Sequence, residues 1–223
     1  MGPEATVDLM ARIIKATPAL DDADHIRMLV DNNPKVPSRI KALIEGDGES
    51  PVPSLQAMAR RLAAWGAHFL AMPCNTAHYY YRDIQEAVNI PLLNMIDLAA
   101  RAVVTQTPGL KTAGLLASTA VLKLKVYEKP FAEAGVALLA PAEAHQERIM
   151  NAIKAIKTGR YGEEEVGAVQ SAADHLVHLG AETLLVACTE LSIIAEKVES
   201  TVKVFDAAQI LAEAVVREAR KAN

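Results

Sequence analysis

Short apolar runs and longer amphipathic stretches alternate along the chain, which is the pattern of alternating strands and helices. One amphipathic stretch begins at Ser54 and ends at Gly66, and its apolar residues share one helical face: Leu55, Met58, Ala59 and Leu62. The apolar run 69–72 follows and predicts a buried strand. The next segments predict a helix over 77–88, a strand over 90–94 and a helix over 97–105.

The second half of the chain carries the same alternation. Strands are predicted at 112–117, 136–139, 183–187 and 202–205. Helices are predicted at 120–134, 143–157, 163–179, from about 190 to 198, and from about 206 to the C-terminus. Repeated strand–helix order predicts an α/β fold with parallel sheets.

One segment of the first half resembles one of the second. GAHFLAMPCNT (66–76) aligns with GAETLLVACTE (180–190), which puts Cys74 and Cys188 at the same position of the repeat. Each cysteine follows a predicted strand and precedes a predicted helix. The repeat therefore predicts that both thiols lie at the carboxyl ends of strands.

A second match in the same order indicates duplicated lobes. With a two-residue slip, DLAARAVV (97–104) matches QILAEAVV (209–216). We predict two pseudo-symmetric open parallel-sheet α/β lobes with the active site in the cleft between them, because ligands bind at the carboxyl ends of such strands. The first lobe would span 1–105 and the second 106–205, with the C-terminal helix of about 206–223 packing back on the first.

Composition narrows the class of protein. The chain is 51% hydrophobic and 22% charged with a net charge of −4, and its basic residues are scattered, so no nucleic-acid partner is expected. No apolar run reaches the roughly 20 residues of a membrane-spanning helix, and the start MGPEATVDLM lacks the pattern of a signal peptide. We therefore expect no membrane partner, a cytoplasmic location and two free thiols. No metal site is predicted, because His175 and His178 lack a third ligand.

Two cysteines in equivalent positions favour proton transfer over nucleophilic hydrolysis. A helix N-terminus stabilises an anion, so we expect a lowered pKa for both thiols. His78 lies four residues beyond Cys74 and is expected to point back along its own helix rather than to act as a base. Racemisation needs a base that removes the α-proton from one face and an acid that protonates the other face of the planar carbanion. In the reverse reaction the two groups exchange roles. The alternative is that Cys74 and Cys188 are inert core residues.

Four motifs, MGPEAT, DNNPKVPSR, PCNTAH and ACTEL, occur in the order in which they stand in a known family. On these motifs the chain resembles the aspartate/glutamate racemase superfamily, and within it the aspartate racemase group, over essentially its whole length. The resemblance implies two α/β lobes, no pyridoxal phosphate or other cofactor, and a homodimer. It also implies that Cys74 and Cys188 are the acid/base pair.

The resemblance further implies a set of substrate-binding residues: Arg39, Asn75, Thr76, Thr119, Lys157, Thr189 and Glu190. Arg39 and Lys157 match basic residues associated with a second carboxylate, which favours a small dicarboxylic amino acid as the substrate. Other interpretations stay open. Asn75 and Thr76 would also serve as helix caps, Arg39 as a solvated loop residue, and Lys157 as a charge that complements a helix dipole.

The chain departs from the family pattern in two places. Members usually carry a strand ending in Gly-Gly before the MGPEAT motif, so the first lobe is expected to lack the counterpart of the strand 112–117. Ser38 stands where the family often has Asp, so an ion pair in the loop of Arg39 is expected to be absent.

These observations predict a cofactor-independent racemase that interconverts L- and D-aspartate by a two-cysteine mechanism. One alternative keeps the fold and changes the substrate to glutamate or to a broad range of amino acids. The other is a non-catalytic, truncated relative that binds small carboxylates.

Overall fold

The computed structural model describes residues 2–221. Its α-helices are α1 (Pro3–Ala16), α2 (Val52–Ala64), α3 (Tyr81–Gln85), α4 (Met95–Gln106), α5 (Thr119–Lys123), α6 (Glu128–Glu133), α7 (Glu143–Lys157), α8 (Glu163–His178), α9 (Thr189–Ser192) and α10 (Ala207–Ala219). Short 3-10 turns lie at Asp22–Asp24, Thr76–Tyr80 and Ala195–Lys197, and a π-helical turn lies at Lys41–Glu45.

The second half of the chain forms a four-stranded parallel sheet. Its strands are β1 (Thr112–Ala117), β2 (Ala137–Leu139), β3 (Thr183–Ala187) and β4 (Lys203–Asp206), in the order β2-β1-β3-β4. Every residue of β3 is buried, as expected for a strand covered by helices on both faces. One apolar cluster packs one face of this sheet against α4 and α10, and another packs the opposite face against α7 and α8.

Most predicted elements of this half are present, but the helix predicted over 120–134 is wrong. It is divided into α5 and α6 by a turn in which Lys125 has a positive φ of 52°. Pro130 explains the division, because it has no N–H for a continuous helix and is tolerated only in the first turn of a new one. The predicted helix after Cys188 is likewise reduced to α9 and the 3-10 turn Ala195–Lys197.

The first half has α2 and α4 as predicted, but its predicted strands do not form a ladder. The segments 69–72 and 90–94 meet in one parallel bridge, Leu70 to Leu92. The predicted helix 77–88 is a 3-10 turn followed by the short α3. The first lobe therefore keeps the order of elements that the repeat indicated, with a minimal sheet.

Helix α10 packs against α1 and α4, both elements of the first half. A polar network reinforces this contact. The Arg12 side chain bonds Asp8 at 2.7 Å and Asp206 at 2.9 Å, and it donates to the backbone oxygen of Ser192 at 2.7 Å. Among residues 2–221 no helix is long and apolar enough to cross a bilayer.

Candidate active site

Both cysteines line one pocket of about 60 Å³ between the two halves of the chain. Cys74 follows the extended segment 69–73, and Cys188 follows β3 directly. The remaining lining residues include eight that carry polar or charged side chains: Ser38, Arg39, Asn75, Thr76, Ser118, Lys157, Thr189 and Glu190. The pocket therefore combines two thiols with donors suited to a carboxylate.

The two cysteine loops touch each other. The Thr189 hydroxyl donates to the backbone oxygen of Pro73 at 3.3 Å, which links the residue after one cysteine to the residue before the other. Both Thr189 and Asn75 are buried. This contact holds the two repeats close together at the pocket.

Asn75 is fixed by a residue from the second half. The Tyr127 hydroxyl donates to Asn75 Oδ1 at 2.5 Å, and burial raises the pKa of Tyr127, so the phenol keeps its proton. Asn75 Nδ2 is buried and has no hydrogen-bond partner among the described residues. An unpaired buried donor is costly, so this amide is poised to donate to a ligand in the pocket.

Cys188 lies beside a carboxylate. Its Sγ donates to Glu190 Oε2 at 3.3 Å, and Lys157 Nζ lies 3.9 Å from Glu190 Oε1. Burial, followed by the negative charge of Glu190, raises the pKa of Cys188 well above its usual value, although the backbone N–H groups of Leu191 and Glu190 act in the opposite direction. The prediction of a lowered pKa is therefore wrong for Cys188, because desolvation outweighs the short helix α9.

Cys74 has a histidine beside its backbone rather than its thiol. His78 Nδ1 lies 2.8 Å from the backbone oxygen of Cys74, and the Met95 N–H donates to His78 Nε2 at 3.1 Å. Nε2 must then be the acceptor, so Nδ1 carries the proton and donates to Cys74. Burial lowers the pKa of His78 and keeps the ring neutral. The expectation that His78 does not serve as a base for the thiol agrees with this geometry.

Arg39 is a cation without an acidic partner in the described chain. Its Nη1 donates to the backbone oxygen of Pro37 at 3.1 Å, while Nε is buried and unbonded. Within residues 2–221 no carboxylate is in ion-pair distance of this guanidinium. Arg39 is therefore available to an anionic ligand.

A family model described as Asp/Glu/Hydantoin racemase matches residues 1–215. The chain belongs to this racemase family. It is 24% identical over 229 residues to the broad specificity amino-acid racemase RacX of Bacillus subtilis, a match that covers 97% of this chain and 93% of RacX.

Solved structures of racemases share the fold. The aspartate racemase of Picrophilus torridus superposes with a TM-score of 0.87 at 29% identity, covering 98% of this chain and 90% of that one. An aspartate racemase homologue from Pyrococcus horikoshii gives a TM-score of 0.77 at 23% identity, covering 98% and 95%. These likenesses confirm the predicted fold class of two α/β lobes.

Of the nine site residues predicted from the sequence, Thr119 does not line the pocket. The Thr119 hydroxyl accepts from Gln146 Nε2 at 3.2 Å, and its backbone N–H lies 3.2 Å from Met150 Sδ. Its neighbour Ser118 lines the pocket instead. The other eight predicted residues line the pocket together, while their roles stay predictions.

The sequence did not reveal that Tyr127 and Ser118 belong to this candidate site. Tyr127 lies in the turn between α5 and α6, outside every recognisable motif, so only the folded chain brings it to Asn75. Ser118 could have been found from its position, since it occupies the strand-end place that the cysteines occupy elsewhere. In residues 2–221 no three His, Cys, Asp or Glu side chains are arranged to hold a metal.

Proposed function

We propose that this protein is a cofactor-independent amino-acid racemase that interconverts L- and D-aspartate through Cys74 and Cys188. The observation that carries the proposal is that both cysteines line one small pocket. Family membership supports the reaction class, and the name of the Picrophilus torridus relative supports aspartate.

The reaction needs one thiolate and one thiol. The thiolate removes the α-proton from one face of the substrate, and the electron pair of the broken C–H bond delocalises into the α-carboxylate. The opposing thiol then donates its proton to the other face of the carbanion, which inverts the centre. For the enantiomer whose α-proton faces Cys74, the raised pKa of Cys188 favours this thiol as the proton donor, and the other enantiomer reacts with the two roles exchanged.

Donors in the pocket would stabilise the charge that develops on the α-carboxylate. The buried Asn75 Nδ2 is unpaired and held in place by Tyr127, which makes it a preorganised donor. Thr76 and Thr189 line the same pocket and offer hydroxyl and backbone donors. Removing one such donor typically costs on the order of 10²–10³ in kcat.

Arg39 supports a dicarboxylic substrate. Its guanidinium lacks an acidic partner in the described chain and lines the pocket, so it is suited to the side-chain carboxylate of aspartate. Lys157 Nζ lies 3.9 Å from Glu190 Oε1, so its positive charge compensates the negative charge of that carboxylate. The likeness to the broad-specificity enzyme RacX supports a second candidate, racemisation of several amino acids at the same site.

The test is to incubate the protein separately with L-aspartate, L-glutamate and L-alanine and to measure the D-enantiomers by chiral chromatography. We expect D-aspartate to form fastest, and Arg39→Ala to lower kcat/KM for aspartate by about 10–100-fold, since a charge-assisted hydrogen bond contributes about 1.5–3 kcal/mol. Arg60→Ala, at an exposed position of α2, is the matched control. Equal rates on all three substrates, unchanged by Arg39→Ala, would favour the broad-specificity candidate. Absence of any D-product would contradict racemisation.

A further inference from the structure

Each cysteine is followed, four residues later, by a buried polar side chain. His78 follows Cys74 and Ser192 follows Cys188, so the two side chains occupy the same position of the internal repeat. His78 is 6% exposed and Ser192 is 1% exposed. Neither residue lines the cysteine pocket, so both lie outside the surface that a substrate would contact. Buried polar groups need partners, and the partners of these two indicate their role.

In the first lobe, His78 joins the turn of Cys74 to the start of α4. Its Nδ1–H donates to the backbone oxygen of Cys74 at 2.8 Å, and its Nε2 accepts from the Met95 N–H at 3.1 Å. Met95 is the first residue of α4, and the first N–H groups of a helix have no partner within it. The ring therefore holds the backbone of Cys74 against the N-terminus of the helix that follows the segment 90–94.

In the second lobe, Ser192 makes the equivalent connection. Its hydroxyl donates to Asp206 Oδ1 at 2.6 Å, and its backbone N–H donates to the Cys188 oxygen at 3.0 Å. The hydroxyl oxygen also lies 3.2 Å from the Cys188 oxygen, but a hydroxyl has one proton, and the shorter contact takes it. Asp206 is the N-cap of α10, as Asn94 is the N-cap of α4. Both lobes therefore join the turn of their cysteine to the N-terminus of the helix after the next strand or extended segment.

The connection in the second lobe carries charge, whereas that in the first lobe is neutral. Burial lowers the pKa of His78, so its ring has no charge. Asp206 instead pairs with Arg12 of α1 at 2.9 Å, and Arg12 also donates to the backbone oxygen of Ser192 at 2.7 Å. The side chains of this ion pair are only 12% and 14% exposed. The turn of Cys188 is thus held between α1 of the first lobe and α10.

We propose that His78 and Ser192 are positioning residues, one for each thiol, and that each holds its own cysteine turn against the N-terminus of the helix that follows. This inference rests on the proposed function, in which the thiols must face one carbon from opposite sides. Proton transfer depends strongly on the placement of donor and acceptor. Loss of one connection should therefore change the thiol of its own lobe and leave the other thiol as it was. Loss of general stability would instead expose both thiols together, because unfolding is cooperative.

The first experiment measures the reactivity of each thiol in the full chain. The protein is treated with iodoacetamide at neutral pH, and labelling of Cys74 and of Cys188 is followed separately by peptide mass spectrometry. We expect Ser192→Ala to speed labelling of Cys188 about 10-fold and that of Cys74 by less than about two-fold, because the hydrogen bond to a charged carboxylate is lost. Ser171→Ala is the matched control, since this serine of α8 bonds to other side chains outside the pocket, and it should change neither rate.

Two substitutions of His78 separate its role in positioning from its role in packing. The amide of His78→Asn reaches the place of Nδ1 and donates to the Cys74 oxygen. The amide of His78→Gln reaches the place of Nε2 and accepts only from Met95. Both replace the buried ring by an amide, so both lose packing. We expect His78→Gln to speed labelling of Cys74 about five-fold, with Cys188 unchanged, and His78→Asn to restore most of the original rate.

Racemisation of L-aspartate by the same variants relates the thiols to catalysis. We expect kcat to fall about 10-fold in Ser192→Ala and in His78→Gln, with KM changed by less than about two-fold, because neither residue lines the pocket. Labelling confined to one lobe together with this fall in kcat supports the proposal. Equal acceleration at both thiols, no acceleration at either, or an unchanged kcat would overturn it. Unaltered protein that forms no D-aspartate would contradict the proposed function instead, and the labelling would still decide whether these side chains position the thiols.

Discussion

The two cysteine loops have similar sequences but different surroundings. Cys188 follows the fully buried β3, is 6% exposed and donates to Glu190. Cys74 follows a segment held by one parallel bridge, is only partly buried and is followed by Asn75, which has no charge. A repeated motif therefore brings both cysteines to one pocket, while burial and the charge of Glu190 raise the pKa of Cys188.

The largest expected effect comes from removing either thiol. Cys74→Ala and Cys188→Ala should each lower the racemisation rate by about 10³-fold or more, because each removes one member of the proposed acid/base pair. The measurement is the initial rate for both enantiomers, with thermal unfolding as the check on folding. If one variant retained most of its activity in both directions, the two loops would not share the chemistry.

The rate of amide hydrogen exchange should also differ greatly between the two lobes. β1 is paired on both sides, whereas 69–72 has one bridge, so exchange at the amides of Leu115 and Leu116 should be at least about 10²-fold slower than at Phe69 and Ala71. Native-state hydrogen exchange detected by NMR measures this difference. Equal protection in the two lobes would show that the first lobe holds its strands by another means.

Glu190→Gln should move the pH profile to lower pH. Burial and the charge of Glu190 both raise the pKa of Cys188, and the neutral amide removes the second cause. The limb of the kcat/KM profile that Cys188 governs should therefore move to lower pH, for both enantiomers alike, because the equilibrium constant of racemisation is one. Glu143→Gln, at an exposed position of α7, should leave the profile in place. A shift to higher pH would contradict the assigned role of Glu190.

Tyr127→Phe should have the smallest effect. Loss of the hydrogen bond to Asn75 Oδ1 lets the amide rotate, and about 1 kcal/mol of lost positioning corresponds to roughly five-fold in kcat. KM should change less than kcat if the amide acts mainly on the developing charge. Tyr161→Phe, near the surface, is the matched control. An effect of equal size in both variants would assign Tyr127 to packing alone.

Much of the second lobe could be predicted because its hydrophobic pattern is local. The strands 112–117 and 183–187 and the helix 143–157 stand where periodicity placed them. The helix over 120–134 could not be predicted correctly from apolar spacing alone, because Pro130 decides where the second helix begins. The strands predicted at 69–72 and 90–94 form only one bridge, because a strand needs a partner beside it and apolar spacing does not reveal that partner.

The candidate site could likewise be predicted from the sequence only in part. Both cysteines and their polar neighbours could be found because they belong to one repeated motif. The proton affinity of Cys188 could not, since it depends on burial that only the packed sheet creates. Tyr127 reaches Asn75 across 52 positions of sequence, and no local pattern signals such a contact.

The central claim is that two thiols act on opposite faces of one carbon. L-aspartate should be racemised in deuterium oxide and both enantiomers analysed by mass spectrometry at low conversion. The account predicts that the D-product carries deuterium at Cα while the remaining L-substrate carries almost none, because separate groups remove and deliver the proton. Product that retains the original hydrogen, or substrate that exchanges as fast as product forms, would contradict it.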